Sequence, residues 1–219
     1  KVIHFCHVTY TAGQIFPVKR ICQMARRRGI QTIVDGAHGF AHFPFTVADL
    51  ECDYYGTSLH KWLTAPFGTG FLYVRRENIR KIWPLTAAPP SLDNDIRKFE
   101  QIGTHPVCNR NAINEAITFH EGIGAERKAA RLRYLRERWT SQVAGLPGVH
   151  ILTPSDPAQA CAIGTMRIDG IGAQALADYL QKKHRIHVRP RFVENEWEGI
   201  RVTPNVFTTL EEVDIYARA

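Results

Sequence analysis

Strand, helix and strand signals follow one another within residues 1–36, and this order constrains the fold more than any other feature of the chain. "KVIHFCHV" (1–8) reads as a buried strand. "FPVKRICQMARRRG" (16–29) places Val18, Ile21, Cys22 and Ala25 on one helical face and ends on Gly29, a helix stop. "IQTIVDG" (30–36) is a second strand. Such a unit joins two parallel, buried strands by a crossover, so the fold class is α/β.

"CDYYGTSL" (52–59) and "GFLYVRR" (70–76) add a third and a fourth strand. Residues 83–106, with Pro84, Pro89, Pro90 and Pro106, read as a long irregular connection, a kind of loop that usually carries function. A helical region over 107–144 is broken near "EGIG" (121–124). Strands are then expected at "HILT" (150–153), "CAIGTMRI" (161–168), "IHVRP" (186–190) and "GIRVTP" (199–204), with helices at "GAQALADYLQKKH" (172–184) and "TLEEVDIYARA" (209–219). Thr208 or Thr209 caps the last helix, with Glu211 and Glu212 in its first turn. Two domains are expected: 1–145, including a bridging helix, and a small α+β domain, 146–219. The chain opens directly on a buried strand, so it is expected to be the C-terminal part of a longer protein.

With 44% hydrophobic and 22% charged residues over 219 positions, the chain can build a real core and is not disordered. No apolar run approaches the roughly 20 residues of a membrane helix, and residues 1–10 read as a strand and not as a signal peptide. The 5 cysteines, Cys6, Cys22, Cys52, Cys108 and Cys161, are scattered and without C-x-x-C spacing. That pattern argues against a disulfide framework or zinc site and for a reducing, cytoplasmic setting. The net charge of +7 is concentrated in 25–29 and in "ERKAARLRYLRER" (126–138), where Leu132 and Leu135 face the core. The second cluster is open to two readings, a nucleic-acid surface or a solvated basic helix face. The latter is favoured because the arginines are not interleaved with a series of stacking aromatics, Tyr134 being the single one in the segment.

The chemically conspicuous residues stand at strand ends. Asp35 ends "TIVD", His38 lies just beyond it, and Ser58, His60 and Lys61 close the next strand segment in "GTSLHKWLTAPFGTG" (56–70). Ligands of open α/β sheets sit at the carboxyl ends of strands. An acid, a histidine and a lysine in such a crevice suit pyridoxal phosphate, whose aldehyde needs an amine and whose pyridine nitrogen needs an anion. Each residue alone has an ordinary reading: Asp35 as a turn cap, the histidines as satisfied core or surface groups, Lys61 as a snorkelling surface lysine.

"VDGAHGFAHFPFTVADLECDYYGTSLHKWLTAPFGTGFLYVR" resembles the cofactor segment of the class V, fold-type I pyridoxal-phosphate enzymes, with D-G-A-H, S-x-H-K and a following G-x-G-F-L strand in order. "HVTYTAGQIFPVKRIC", "FEQIGTHPVCNRNAINEAITFHEGIG" and "GIRVTPNVFTTLEEVD" resemble further segments of that family, so the likeness covers nearly the whole chain. It implies the fold-type I architecture: part of the large-domain mixed or parallel sheet, plus a C-terminal α+β small domain. It implies pyridoxal 5'-phosphate as cofactor, with Lys61 as its Schiff-base lysine and Asp35 at the pyridinium nitrogen. His38 would lie near the phenolic oxygen, and Ser58 and His60 at the phosphate. Thr104 would reach the phosphate of a neighbouring subunit, hence a homodimer. Arg201 would grip the carboxylate of a small amino-acid substrate.

The departures are informative. Tyr10 stands near the position where the family commonly has an asparagine, so that role is open here. "RPRFVENEWEG" (189–199), taken as a loop, lacks the nucleophilic cysteine of cysteine desulfurases and points to the isopenicillin N epimerase-like branch. The family's N-terminal half, with its glycine/threonine phosphate loop and ring-stacking aromatic, is not in this sequence. The expected activity is at the α-carbon of an amino acid or derivative, as an epimerase or aminotransferase. A C–S lyase, cysteine desulfurase-like or kynureninase-like enzyme is the alternative. An inactive fragment or a basic nucleic-acid-binding module is the alternative from another class.

Overall fold

The computed structural model describes residues 1–219. The chain forms two compact units: Lys1–His7 with Pro17–Phe40 and Phe45–Gly122, and Val8–Phe16 with Ala41–Pro44 and Ile123–Ala219.

The first unit is built on the strand–helix–strand signal. Strand β1 (Val2–Cys6) pairs in parallel with β2 (Gln31–Asp35), and helix α1 (Val18–Arg26) lies between them in sequence. Gly29 adopts φ 64° where α1 stops, a left-handed turn that costs glycine little. Strand β3 (Tyr54–Ser58) continues the parallel pairing beside β2, while β4 (Gly70–Val74) returns antiparallel, so the sheet is mixed, in the order β1-β2-β3-β4. Val18 and Cys22 of α1 pack with Val34, Leu50, Cys52 and Tyr55 as its core. A 3-10 turn at Arg76–Lys81 precedes the long connection, which itself holds short 3-10 turns at Pro90–Leu92 and Ile96–Glu100. It leads into α2 (Val107–Asn111) and α3 (Ile113–Ile123).

The main segment of the second unit opens at the expected helix break, where Gly124 adopts φ 86° before α4 (Ala125–Val143). An antiparallel sheet, in the order β5-β6-β8-β7, follows: β5 (Val149–Ile151), β6 (Gly164–Ile168), β7 (Arg189–Val193) and β8 (Trp197–Val202). Helices α5 (Ala173–Tyr179) and α6 (Leu210–Arg218) complete it. Leu135, Trp139 and Val143 of α4 enter one core with Met166, Ile200 and Tyr216, which is why α4 belongs to this unit. Thr209 is the cap of α6: its hydroxyl accepts from the Glu212 N–H at 3.1 Å, and the Glu212 carboxylate accepts from the Thr209 N–H at 2.7 Å.

Two expectations need correction. Residues 186–188 are not strand. The strand is Arg189–Val193, and what read as a loop at 189–199 is the β7–β8 hairpin, turning at Asn195 with φ 60°. The expected strand ends at Pro190, where the observed one continues to Val193; proline is tolerated within it because β7 is an edge strand. The basic face of α4 is also not simply solvated. Lys128 and Arg136 are 1% and 3% exposed. Arg138 grips the Asp214 carboxylate with two bonds of 2.7 Å, and Arg131 and Arg133 donate to the carbonyls of Thr208 and Pro157. Much of the positive charge on this helix therefore holds the unit together. No helix is long and apolar enough to cross a membrane.

Candidate active site

Asp35 and Ser58 are the last residues of neighbouring parallel strands, so the topology sets both at the carboxyl edge of the sheet, with Asp35 opposite Gly56 and Ser58 two residues further on. After β2 the backbone turns sharply. The Gly36 N–H donates to the Gly56 carbonyl at 2.7 Å, and the Gly36 carbonyl accepts from the N–H groups of Gly39 and Phe40 at 2.8 and 3.1 Å. Asp35 Oδ1 accepts from the Ala37 N–H at 2.9 Å, the short-range turn contact that favours Asp at such a place. Both glycines of this turn are required by close packing. A Cβ on Gly36 would overlap the Tyr55 ring, and one on Gly39 would lie 2.7 Å from His7 Nδ1.

This turn presents His38, and the bend after β3 presents Lys61. Lys61 Nζ lies 3.4 Å from His38 Nε2 and donates to that nitrogen in the tautomer that leaves it unprotonated. The Trp62 ring, 5% exposed, meets His38 edge-on at 6.4 Å. His60 packs against Phe67 at 5.1 Å, and its buried Nδ1 has no hydrogen-bond partner. Asn109 of α2 donates to the Phe67 carbonyl at 3.1 Å, which ties that helix to the bend.

A residue that the sequence reading missed borders Asp35. The parallel register sets Cys6 opposite Asp35, and its thiol lies 4.0 Å from Oδ2. Burial pushes the Cys6 thiol pKa up, the Asp35 carboxylate adds to this, and Lys61 opposes it. The three groups thus share one electrostatic neighbourhood. The strand-to-strand register was the signal that could have found Cys6. Beneath them, His7 lies 3.3 Å from the Tyr55 hydroxyl, and burial lowers its pKa to about 4.

Asp35, His38, Ser58, His60 and Lys61 thus lie on two consecutive strand ends and the turns that follow them. Thr104 is not linked to them by any hydrogen bond. It is exposed on a bend of the long connection, where His105 Nδ1 approaches the Gly103 carbonyl at 2.8 Å. Arg201 belongs to the second unit, on β8, and donates from Nη1 to the Tyr10 carbonyl at 2.8 Å. Tyr10, the departure from the family asparagine, therefore supports this arginine through its backbone.

Residues 1–190 match the family described as aminotransferase class-V. The isopenicillin N epimerase of Streptomyces clavuligerus is 32% identical, over 100% of this chain and 59% of the relative. The isopenicillin N epimerase of Amycolatopsis lactamdurans is 31% identical, with the same coverage. Among solved structures, a cysteine desulfurase from Thermococcus onnurineus NA1 superposes with a TM-score of 0.88 at 24% identity, over 100% of this chain and 58% of that one, and shows the same fold. The chain therefore spans about 59% of the length of the curated relatives it matches. Matched to the family model over residues 1–190, most of its length, the chain belongs to the aminotransferase class-V family.

Proposed function

We propose that this chain carries the lysine side of a pyridoxal 5'-phosphate site and acts at the α-carbon of an amino acid or amino-acid derivative, as an isopenicillin N epimerase-like epimerase or an aminotransferase. The observation that carries this reading is the placement of the Lys61 amine 3.4 Å from His38, in the electrostatic neighbourhood of Asp35. The residues suit the group. Asp35 is held by its Oδ1, while Oδ2 meets only a thiol at 4.0 Å, so an acceptor remains for a ring N–H. The Ser58 hydroxyl takes no hydrogen bond within the fold, whereas that of neighbouring Thr57 is occupied by the Gly36 carbonyl at 3.1 Å. With the orphaned His60 Nδ1, Ser58 offers polar atoms to a phosphate.

When bound, pyridoxal phosphate supplies an electron-accepting ring that acidifies the substrate α-carbon. Lys61 Nζ is the chain's amine and its proton carrier at that carbon. His38 Nε2 accepts a hydrogen bond from Nζ and so orients the amine. Asp35 Oδ2 holds a proton at the ring nitrogen, and Trp62 helps to exclude water beside His38. Arg201 binds the substrate carboxylate through a planar fork. Thr104, exposed, reaches the cofactor phosphate of a second copy in a homodimer. The hairpin 189–199 holds no cysteine, which favours α-carbon chemistry over sulfur transfer. A cytoplasmic location, which 5 free cysteines suit, is part of this proposal.

The test is α-proton exchange in deuterated water across a panel of amino acids. Exchange should require the cofactor and vanish in Lys61→Ala. Exchange that survives Lys61→Ala would remove Lys61 from the reaction.

A further inference from the structure

The β7–β8 pairing sets Arg189 opposite Arg201 and Arg191 opposite Gly199. Opposed residues, and residues two apart on a strand, share a face. Arg189, Arg191 and Arg201 therefore project from one side of the second unit's sheet, away from Ile200 and Met166, which enter the core. Their Cβ atoms are then about 5 Å apart for the opposed pair and about 7–8 Å for the diagonal pair. Gly199 places no side chain between Arg191 and Arg201, and the Met166 carbonyl of β6, 2.5 Å from where a Cβ would stand, fills that position.

Three cations so close should attract a carboxylate from the fold, and none is supplied. The ion pairs of this unit are formed by Arg136, Arg138, His150, Arg167 and Lys182. Arg201 and Arg191 find only carbonyls, those of Tyr10 at 2.8 Å and Pro190 at 3.3 Å. The Arg191 guanidinium also lies 5.4 Å from the Tyr10 ring centroid. The Nε atoms of both arginines are buried without a hydrogen-bond partner. Burial, then the charges of Arg191 and Arg189, lower the Arg201 pKa to about 10, which leaves it charged at neutral pH. Three guanidiniums present about 15 N–H donors, and one carboxylate offers about four acceptor sites. A single carboxylate leaves most of these donors unanswered.

We propose that this face receives a substrate bearing two anionic groups, with Arg201 on the α-carboxylate and Arg191, supported by Arg189, on a second carboxylate of the same molecule. The proposal rests on the α-carbon reading above and narrows its substrates to acidic amino acids and their derivatives.

Calorimetric titration of the 219-residue chain with glutarate, pentanoate and inorganic phosphate at low salt tests it without cofactor. One added charge-assisted pair predicts that glutarate binds at least ~10-fold tighter than pentanoate. Arg191→Gln should abolish that preference, and Arg201→Gln should weaken both ligands. Arg191→Lys, which keeps the charge and loses the fork, should keep part of it. Far-UV circular dichroism checks that each variant folds. If Arg191→Gln does not fold, Arg189→Gln, on an exposed residue, should still reduce the preference. Equal affinity for glutarate and pentanoate overturns the proposal. So does a preference that survives Arg191→Gln, or phosphate binding tighter than glutarate. A glutarate preference without cofactor linkage at Lys61 would reject the α-carbon reading alone; linkage without the preference would reject this inference alone.

Discussion

Gly36→Ala tests how the site is positioned, because neither side of the resulting overlap can yield. The added Cβ would meet Cζ, Cε1 and Oη of Tyr55, which is 0% exposed. The ring is fixed by His7 at 3.3 Å and packed between Phe45 and Phe71, with centroids at 5.9 and 6.2 Å. The backbone of Gly36 is fixed by its N–H on the Gly56 carbonyl and its carbonyl on two further N–H groups. Overpacking ordinarily costs about 1–3 kcal/mol. With both partners pinned, the upper end, about 3 kcal/mol, is expected here. At a urea slope of about 1–3 kcal/mol per molar, the unfolding midpoint should fall by about 1 M or more. Tyr55→Leu makes room, so the double variant should be less damaged than the sum of the single ones by at least about 1 kcal/mol. Urea unfolding followed by fluorescence measures all three variants. A Gly36→Ala midpoint equal to that of the parent, or strictly additive costs, would refute the reasoning.

Acid should weaken the fold through His7, whose pKa is lowered by burial from 6.5 to about 4. Between those values the unfolded chain binds the proton and the folded one does not, so the contribution is full above 6.5 and is lost as pH falls toward 4. About 2 kcal/mol should be gone by pH 5, and a His7→Phe variant should show a correspondingly flatter urea-midpoint profile from pH 7.5 to 5. Thr209→Ala should cost about 1 kcal/mol by loss of the α6 cap, read from the same midpoint. Under native conditions a thiol reagent should modify Cys108 rapidly, because it is exposed, and spare the buried Cys22, Cys52 and Cys161. Burial holds the Cys52 and Cys161 thiols at about 12 and about 11. Rapid modification of Cys52 would contradict the core described.

What the sequence discloses is local or periodic. The β1–α1–β2 unit, the stop at Gly29, the break at Gly124 and the cap at Thr209 each rest on residues within a few positions of one another. That Asp35 and His38 should lie at the same sheet edge as Ser58, His60 and Lys61 is legible because consecutive parallel strands deliver their ends to one edge. Long-range facts were not legible. Gly36 and Gly39 are demanded by Tyr55 and His7, which only the folded register brings against them. Cys6 joins Asp35 through strand pairing, and the α4 cations find partners in segments far along the chain. The strand read at 186–190 stops short of the hairpin, so the pairing that aligns Arg189 with Arg201 is not visible in the sequence.

The central claim is that Lys61 is the amine that takes pyridoxal phosphate. Its most direct test is borohydride reduction of the chain after incubation with the cofactor, followed by peptide mass mapping. The account predicts a pyridoxyl group on the peptide containing Lys61, and its loss in Lys61→Ala. Labelling spread over surface lysines and unchanged in that variant would contradict it.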